Sequence, residues 1–440
     1  MPKSQSVSLA RQLFTMTWPM MFGVLSLMSF QLVDSAFIGQ LGVLPLATQG
    51  FTLPIQMIII GIQVGLGIAT TAIISRALGA EQFVYAKQLG GLVLIVGMVG
   101  VALIGLLLWL LRYPILALLS APDTVMPVIN HYWPLWLVSS WIGATLYFFY
   151  SVCRANGNTK LPGALMVITS LINLALDPLF IFTFGLGING AALATSTAFA
   201  IGLIIIAPKT LKYDWMSFDW RDIDLSNSVR SLLNIMGPAM TSQLLPPISS
   251  MLATKMLAGF GTAAVAAWAV GSRYEFFAIV VVLALTMSLP PMVGRSLGGK
   301  QFDDIDATVT LAAKFVFGFQ LIIALLTFAL AGPLTDIMAA EDSVRKILHW
   351  HLTIVPISLG PVGICMMMVS VCNALGKPYR ALLISALRLF AFFLPCLWIG
   401  AKLGDVEGLL IGASIGNMLA GLYAWSMYRQ TINALKRSRE

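Results

Sequence analysis

The sequence predicts an all-α membrane protein, with twelve transmembrane helices in two parallel six-helix repeats around a central cavity. Three observations predict it. Of the 440 residues, 58% are hydrophobic and only 10% are charged, against about 25% charged in an ordinary soluble protein. Twelve segments are apolar enough, and long enough at about 20 residues, to cross a bilayer. The chain also repeats itself at one fixed spacing of 219 residues.

The expected spans are 13–38, 46–72, 87–112, 128–152, 161–184, 189–208, 231–257, 264–290, 308–332, 347–372, 379–401 and 407–428. The opening MPKSQSVSLARQ leads into an apolar run too long for the h-region of a signal peptide. That run is therefore expected as the first span. Alternate connections are basic. Lys3 and Arg11 precede the first span, Arg76 and Lys87 follow the second, and Arg154 and Lys160 the fourth. Lys209, Lys212, Arg221 and Arg230 follow the sixth, Arg295 and Lys300 the eighth, and Lys377 and Arg380 the tenth. Lys436, Arg437 and Arg439 close the chain. Cations collect on the cytoplasmic side of membrane proteins, so both termini are expected there. The net charge of +8 reports orientation in the membrane, not nucleic-acid binding.

The repeat rests on three matches. SRALGAEQF (75–83) aligns with GRSLGGKQF (294–302), SVCRANG (151–157) with SVCNALG (370–376), and Pro19 with Pro238. An even number of spans per repeat keeps both halves in one orientation, a parallel repeat as in carriers with a central substrate path. Residues 1–208 form the first six-helix lobe, 209–230 a polar cytoplasmic linker, and 231–440 the second lobe with a cytoplasmic tail.

Most acids fall in connections, but Asp34 and Asp177 do not. A charge at mid-membrane costs at least about 2.5–3.5 kcal/mol and usually marks function. Asn173 precedes Asp177 by one helical turn and shares its face. Pro178 follows, disturbing local backbone hydrogen bonds. Thr195 lies in NGAALATSTA of the sixth span, among small residues that allow close packing. If these oxygen-bearing side chains converge, they can share a proton or ligate Na⁺. The repeat supplies a control: the counterparts of Asp34 and Asp177 are Ala253 and Cys396. The second lobe lacks both acids, so the scaffold does not need them. It carries instead Lys255, Arg273, Glu275 and Arg388 in or near its spans. Lys255, Arg273 and Glu275 are candidate substrate contacts; Lys255 either pairs with Glu275 or snorkels to the outer interface.

Together these segments resemble the multidrug and toxic compound extrusion (MATE) family, and within it the DinF-like branch. The resemblance is carried by WPMMFG, LVDSAFIGQLG, SRALGAEQF, CRANGNTK and INLALDPLFIFTFGLGINGAALAT, and it covers nearly the whole chain. It implies export of xenobiotics driven by H⁺ or Na⁺. It makes Asp34 the principal cation-coupling residue, with Asp177, Asn173, Thr195 and Tyr132 in its network, and Pro19 a hinge in the first helix. Tyr147 and Tyr150 are alternatives for the polar residue of the fourth helix. Acids of the NorM-like branch on helices seven and ten have no counterpart in TSQLLPPISSMLATK or GICMMMVSVC. That absence favours coupling within the first lobe.

Other signals carry less. GASIG (412–416) matches G-x-S-x-G but lies in an apolar helix, without the strand-to-helix elbow or histidine partner a hydrolase needs. His131, His349 and His351 fall toward the far ends of other spans. Cys153, Cys365, Cys372 and Cys396 have neither metal-ligand nor disulfide spacing and read as packing residues. GIQVG (61–65) reads as helix packing. Methionines such as Met366, Met367 and Met368 could line a promiscuous cavity, but core or lipid-facing packing is the favoured reading of each.

The resulting expectation is a non-enzymatic, cation-coupled efflux antiporter, H⁺ favoured over Na⁺, exporting amphipathic and often cationic compounds by alternating access. No cofactor is expected beyond the coupling ion. The partners are small-molecule xenobiotics and the lipid bilayer, with no nucleic acid and a monomeric state. The membrane is the bacterial inner membrane. A lipid-linked-precursor flippase of related architecture is the alternative.

Overall fold

The computed structural model describes residues 3–221 and 223–437; Arg439 of the basic tail lies outside them. Every regular element among these residues is helical. In order they are α1 (Lys3–Gln40), α2 (Val43–Gly79), α3 (Phe83–Leu110), α4 (Arg112–Leu118), α5 (Met126–Ala155), α6 (Lys160–Pro178) and α7 (Ile188–Lys212). The second half holds α8 (Leu225–Ala258), α9 (Thr262–Ala278), α10 (Val280–Gly298), α11 (Phe302–Met338), α12 (Asp342–Ile354), α13 (Leu359–Ala374), α14 (Pro378–Ala386) and α15 (Leu394–Arg437). The chain packs as two compact units. One is Trp18–Met240; the other takes the chain up to Thr17 and from Thr241 onward.

The spans outnumber the uninterrupted apolar helices because some are broken and some merge. The α14–α15 stretch, Pro378–Arg437, is 60 residues long. At 1.5 Å per residue that is about 90 Å, three times the hydrocarbon core. It divides into two spans at Gly404 and Asp405, whose backbone leaves helical geometry. α9 and α10 make one span with a break at Ile279, and α12 and α13 make another, joined by a 3₁₀ turn at Val355–Ser358. With α8, twelve spans result. Several helices outrun their expected bounds, α2 and α11 to 37 residues each, because hydropathy marks the stretch in hydrocarbon and not its extension into water.

The repeat is visible in the backbone. α2 begins 219 residues before α9 and ends 219 before α10. Positive φ recurs at the same spacing: Gly42 and Gly261 (109° and 106°), Glu81 and Lys300 (60° and 56°), Gly157 and Gly376 (82° and 70°). The break at Ile279 does not recur, because its counterpart Ile60 lies inside the unbroken α2. There Gln320 of α11, buried, donates its Nε2–H to the Ala278 carbonyl at 3.0 Å, supplying a partner that the broken helix lacks.

The segment between α7 and α8 is strapped along the start of α3. Ser217 N–H donates to the Lys87 carbonyl at 2.9 Å, Gln88 Nε2 to the Asp219 carbonyl at 2.9 Å, and Trp220 Nε1 to the Gln88 carbonyl at 3.3 Å. Lys87 pairs with Asp214. Gly90 and Gly91 admit the strap, since a methyl at Gly91 would overlap the Ser217 carbonyl. On the exposed strap the Arg221 guanidinium holds the Asp219 carboxyl below its usual range.

Small residues let other helices meet backbone to backbone. Gly412 and Gly416 of GASIG lie against the backbone of Cys396 and Phe392. Ser414 bonds to the carbonyls of Ile354 and Leu410, so this serine is packing. The four cysteines are free, with Cys153, Cys365 and Cys372 buried.

Candidate functional site

The site is built on α1, α5, α6 and α7 of the first unit. A buried apolar cluster from these helices and α2 holds Ile38, Ile59, Trp133, Trp136, Ile181 and Ala191. Tyr132 belongs to this cluster. Beside it, the carboxyls of Asp34 and Asp177 are in hydrogen-bond contact, although 143 residues separate them in the chain. Asp177 is fully buried and Asn173 is 1% exposed; Asp34 is half-buried, with its Oδ1 enclosed and unpartnered.

Asn173 links the acids to α7. With its amide nitrogen toward the carboxyl, it donates to Asp177 Oδ1 at 3.1 Å and Oδ2 at 2.8 Å. Its oxygen then accepts from Thr195 N–H at 3.1 Å and from Thr195 Oγ1 at 2.9 Å. Turned over, the amide donates to Thr195 Oγ1 at 2.9 Å and presents its oxygen to Asp177, a bond that exists only if Asp177 is the donor. The Thr195 N–H, a fixed donor, accordingly favours the orientation that turns the amide nitrogen toward Asp177. Tyr132 lies within electrostatic reach of Asp34. Tyr147 lies under the Arg154 guanidinium, 4.9 Å from ring centroid to Cζ; Tyr150 stands by Cys153 and Thr169. Of the three tyrosines, the structure brings Tyr132 to the acids.

Local backbone supports this arrangement. Pro178 has no N–H to give to the preceding turn, and Leu179–Thr183 widens into a π turn directly after it. Wide turns of this kind occur often at functional sites. Pro19 meets α6 at Gly163, where an added methyl would overlap the Pro19 carbonyl. The expected hinge thus touches the helix that carries Asn173 and Asp177.

In the second unit the candidates separate. Lys255 and Arg273 are exposed. Glu275 does not pair with Lys255. Its Oε1 lies 2.5 Å from Nε2 of His351, whose ring is 1% exposed. That ring fits against Gly271 and lies edge-on to Trp268 at 5.3 Å. His351 was missed because its position suggested a helix end. One signal could have found it: His351 is the repeat counterpart of Tyr132, 219 residues on.

The MatE family model matches residues 19–179 and again 238–399, once per repeat and together most of the chain. The chain belongs to the MATE family. It is accordingly a multi-pass membrane transporter of the twelve-helix MATE fold, and not an enzyme. Crystal structures of the Vibrio cholerae MATE transporter VcmN, one of them in the bent form, are 65% identical in sequence and superpose with a TM-score of 0.97. They cover 98% of this chain and 99% of theirs. The FAD transporter of Shewanella oneidensis is 30% identical over 437 residues, 98% of this chain and 97% of its own. The multidrug export protein MepA of Staphylococcus aureus is 22% identical over 92% of this chain and 90% of its own length.

Proposed function

We propose that this MATE protein exports amphipathic organic compounds in exchange for protons, with Asp34 and Asp177 carrying the exchanged charge. The observation that carries the reading is the direct contact of these carboxyls in a buried, apolar surround. Two ionised carboxylates repel there, so the contact needs a shared proton. Direct contact also favours H⁺ over Na⁺, which would stand between the oxygens. Loss of the proton sets charge on α1 against charge on α6, two helices that also meet at Pro19 and Gly163. Alternating access then follows from two arrangements of the first helix. Each proton entering down a 100 mV potential supplies about 2.3 kcal/mol.

The basic connections support cytoplasmic termini in a bacterial inner membrane, and a monomer suffices for the mechanism. The similarity to MepA supports multidrug export. A second reading, export of an anionic dinucleotide such as FAD, is supported by the 30% identity with the FAD transporter over nearly the whole chain. The family match supports either over a lipid-linked-precursor flippase.

The test is ethidium efflux from proteoliposomes under imposed pH or Na⁺ gradients, comparing wild type with Asp34→Asn. Efflux should follow the pH gradient and vanish in Asp34→Asn at normal protein yield. Efflux that persists in the variant would remove Asp34 from coupling.

A further inference from the structure

Among the described residues, the Asp, Glu, His and Arg side chains enclosed within the spans find partners, with Arg388 the exception. Asp34 and Asp177 bond to one another, Glu275 bonds to His351, and Arg154 bonds to Ser151. Arg388 has no hydrogen bond or ion pair with any described residue, and its Nε is buried without an acceptor. Lys255, Arg273 and Lys314 also lack carboxylate partners, but they are exposed along their helices and can carry their charge toward water. Arg388 is half-buried beside the buried thiol of Cys365. It stands ten residues beyond Pro378, where α14 begins. At 1.5 Å per residue that is about 15 Å along the helix, the middle of a hydrocarbon core about 30 Å thick. An unmatched guanidinium there is costly, and intramembrane ionisable residues usually mark function.

The scaffold does not require that cost. The repeat counterpart of Arg388 is Thr169, whose hydroxyl bonds to the Leu165 carbonyl of its own helix at 2.8 Å. Backbone geometry also singles the position out. Leu387–Phe393 is π-helical, and Pro395, which follows, has no N–H for the Ala391 carbonyl. In each unit the fifth span therefore carries an embedded ionisable residue at a π turn, acidic in the first unit and basic in the second. One turn beyond Arg388, Phe392 packs against Tyr423 with ring centroids 5.7 Å apart.

We propose that Arg388 is the recognition residue for a phosphate-bearing amphipathic anion. The two terminal nitrogens of a guanidinium form an edge that can grip two phosphate oxygens at once; those of Arg388 carry no hydrogen bond and, unlike Nε, are not enclosed. The Phe392–Tyr423 pair supplies an aromatic surface for the flat part of such a molecule. The coupling charge belongs to the first unit, the substrate charge to the second. The proposal rests on the export reading and narrows its dinucleotide form to a residue.

The experiment uses the purified full-length protein with FAD as the anionic probe and ethidium as the cationic one. Binding is measured by fluorescence, and uptake in proteoliposomes under a pH gradient. Arg388→Thr installs the residue that the first unit uses; Arg388→Lys keeps the charge but loses the fork. FAD affinity should fall at least tenfold in Arg388→Thr and less in Arg388→Lys, while ethidium affinity rises as the positive charge goes. Equal FAD binding by wild type and Arg388→Thr overturns the proposal. So does a wild type that binds ethidium and not FAD, an outcome that leaves export standing. A parallel loss of both probes in both variants reduces Arg388 to a structural role and also overturns it. Arg388-dependent FAD binding with no uptake of either probe supports the residue's role and strikes the export reading instead.

Discussion

Replacing His351 by Ala tests whether the Glu275–His351 pair is an energetic unit of the second half. The pair is short, 2.5 Å, with the imidazole enclosed and the Glu275 side chain 23% exposed. Exposed pairs contribute about 0–1 kcal/mol, whereas breaking a buried one costs about 3–5 kcal/mol. One enclosed and one partly wet partner place the coupling between these limits, at about 2 kcal/mol. The ring itself fills space against Gly271 and Trp268, so its removal adds about 3 kcal/mol for lost contacts and cavity. His351→Ala should therefore cost about 5 kcal/mol, and Glu275→Ala little beyond the coupling. Thermal unfolding in detergent can be followed with a thiol-reactive fluorogenic dye, because Cys153, Cys365 and Cys372 are buried until the fold opens. For a unit of this size each kcal/mol moves the midpoint by about 2–4 °C. The double variant should then be less damaged than the sum of the singles by about 4–8 °C. Single effects that add to within about 0.5 kcal/mol, as distant sites do, would refute the coupling.

Three further outcomes are expected. Gly163→Ala forces the new methyl onto the Pro19 carbonyl; overpacking of about 2 kcal/mol would shift a two-arrangement equilibrium of α1 about 30-fold. Spin-label distances between α1 and α6, and efflux, should both change, and constancy of both would show that this contact does not govern α1. Asp405→Gly should raise the unfolding midpoint by several degrees, since φ 50° and ψ −136° cost a side-chain-bearing residue about 1–3 kcal/mol. The equivalent turn before α7 already uses glycine, Gly187, at φ 58° and ψ −139°; a lower midpoint would contradict the strain. Gln320→Leu should lower the midpoint by removing the donor to the Ala278 carbonyl at the Ile279 break, at about 1–3 kcal/mol. An unchanged midpoint would mean that this bond holds nothing.

Much of the candidate site was legible before the coordinates. Asp34 and Asp177 stood out because ionisable residues are rare in apolar runs, and their replacement by Ala253 and Cys396 in the repeat showed that the scaffold does not need them. Asn173 followed from helical spacing. Glu275 was legible as an embedded acid but not its partner: Arg273, two residues away, points to another helix face, Lys255 was one candidate, and a histidine 76 residues away was the one that reached it. The linker was visible as a polar stretch, but nothing in its composition showed that Gly90 and Gly91 would seat it on α3.

The sequence by itself determined the class, the number of spans, the repeat and the identity of the embedded charges. Transfer from water to hydrocarbon is a sum over neighbouring residues, so a local reading of the chain is enough to evaluate it. Tertiary structure alone decided which charges meet: Asp34 with Asp177, Glu275 with His351, and Arg388 with no described residue. Helices that are apolar on every side carry no stripe to say which face turns inward. The rotation of each helix about its axis, and with it every polar partnership, is settled only when the helices pack.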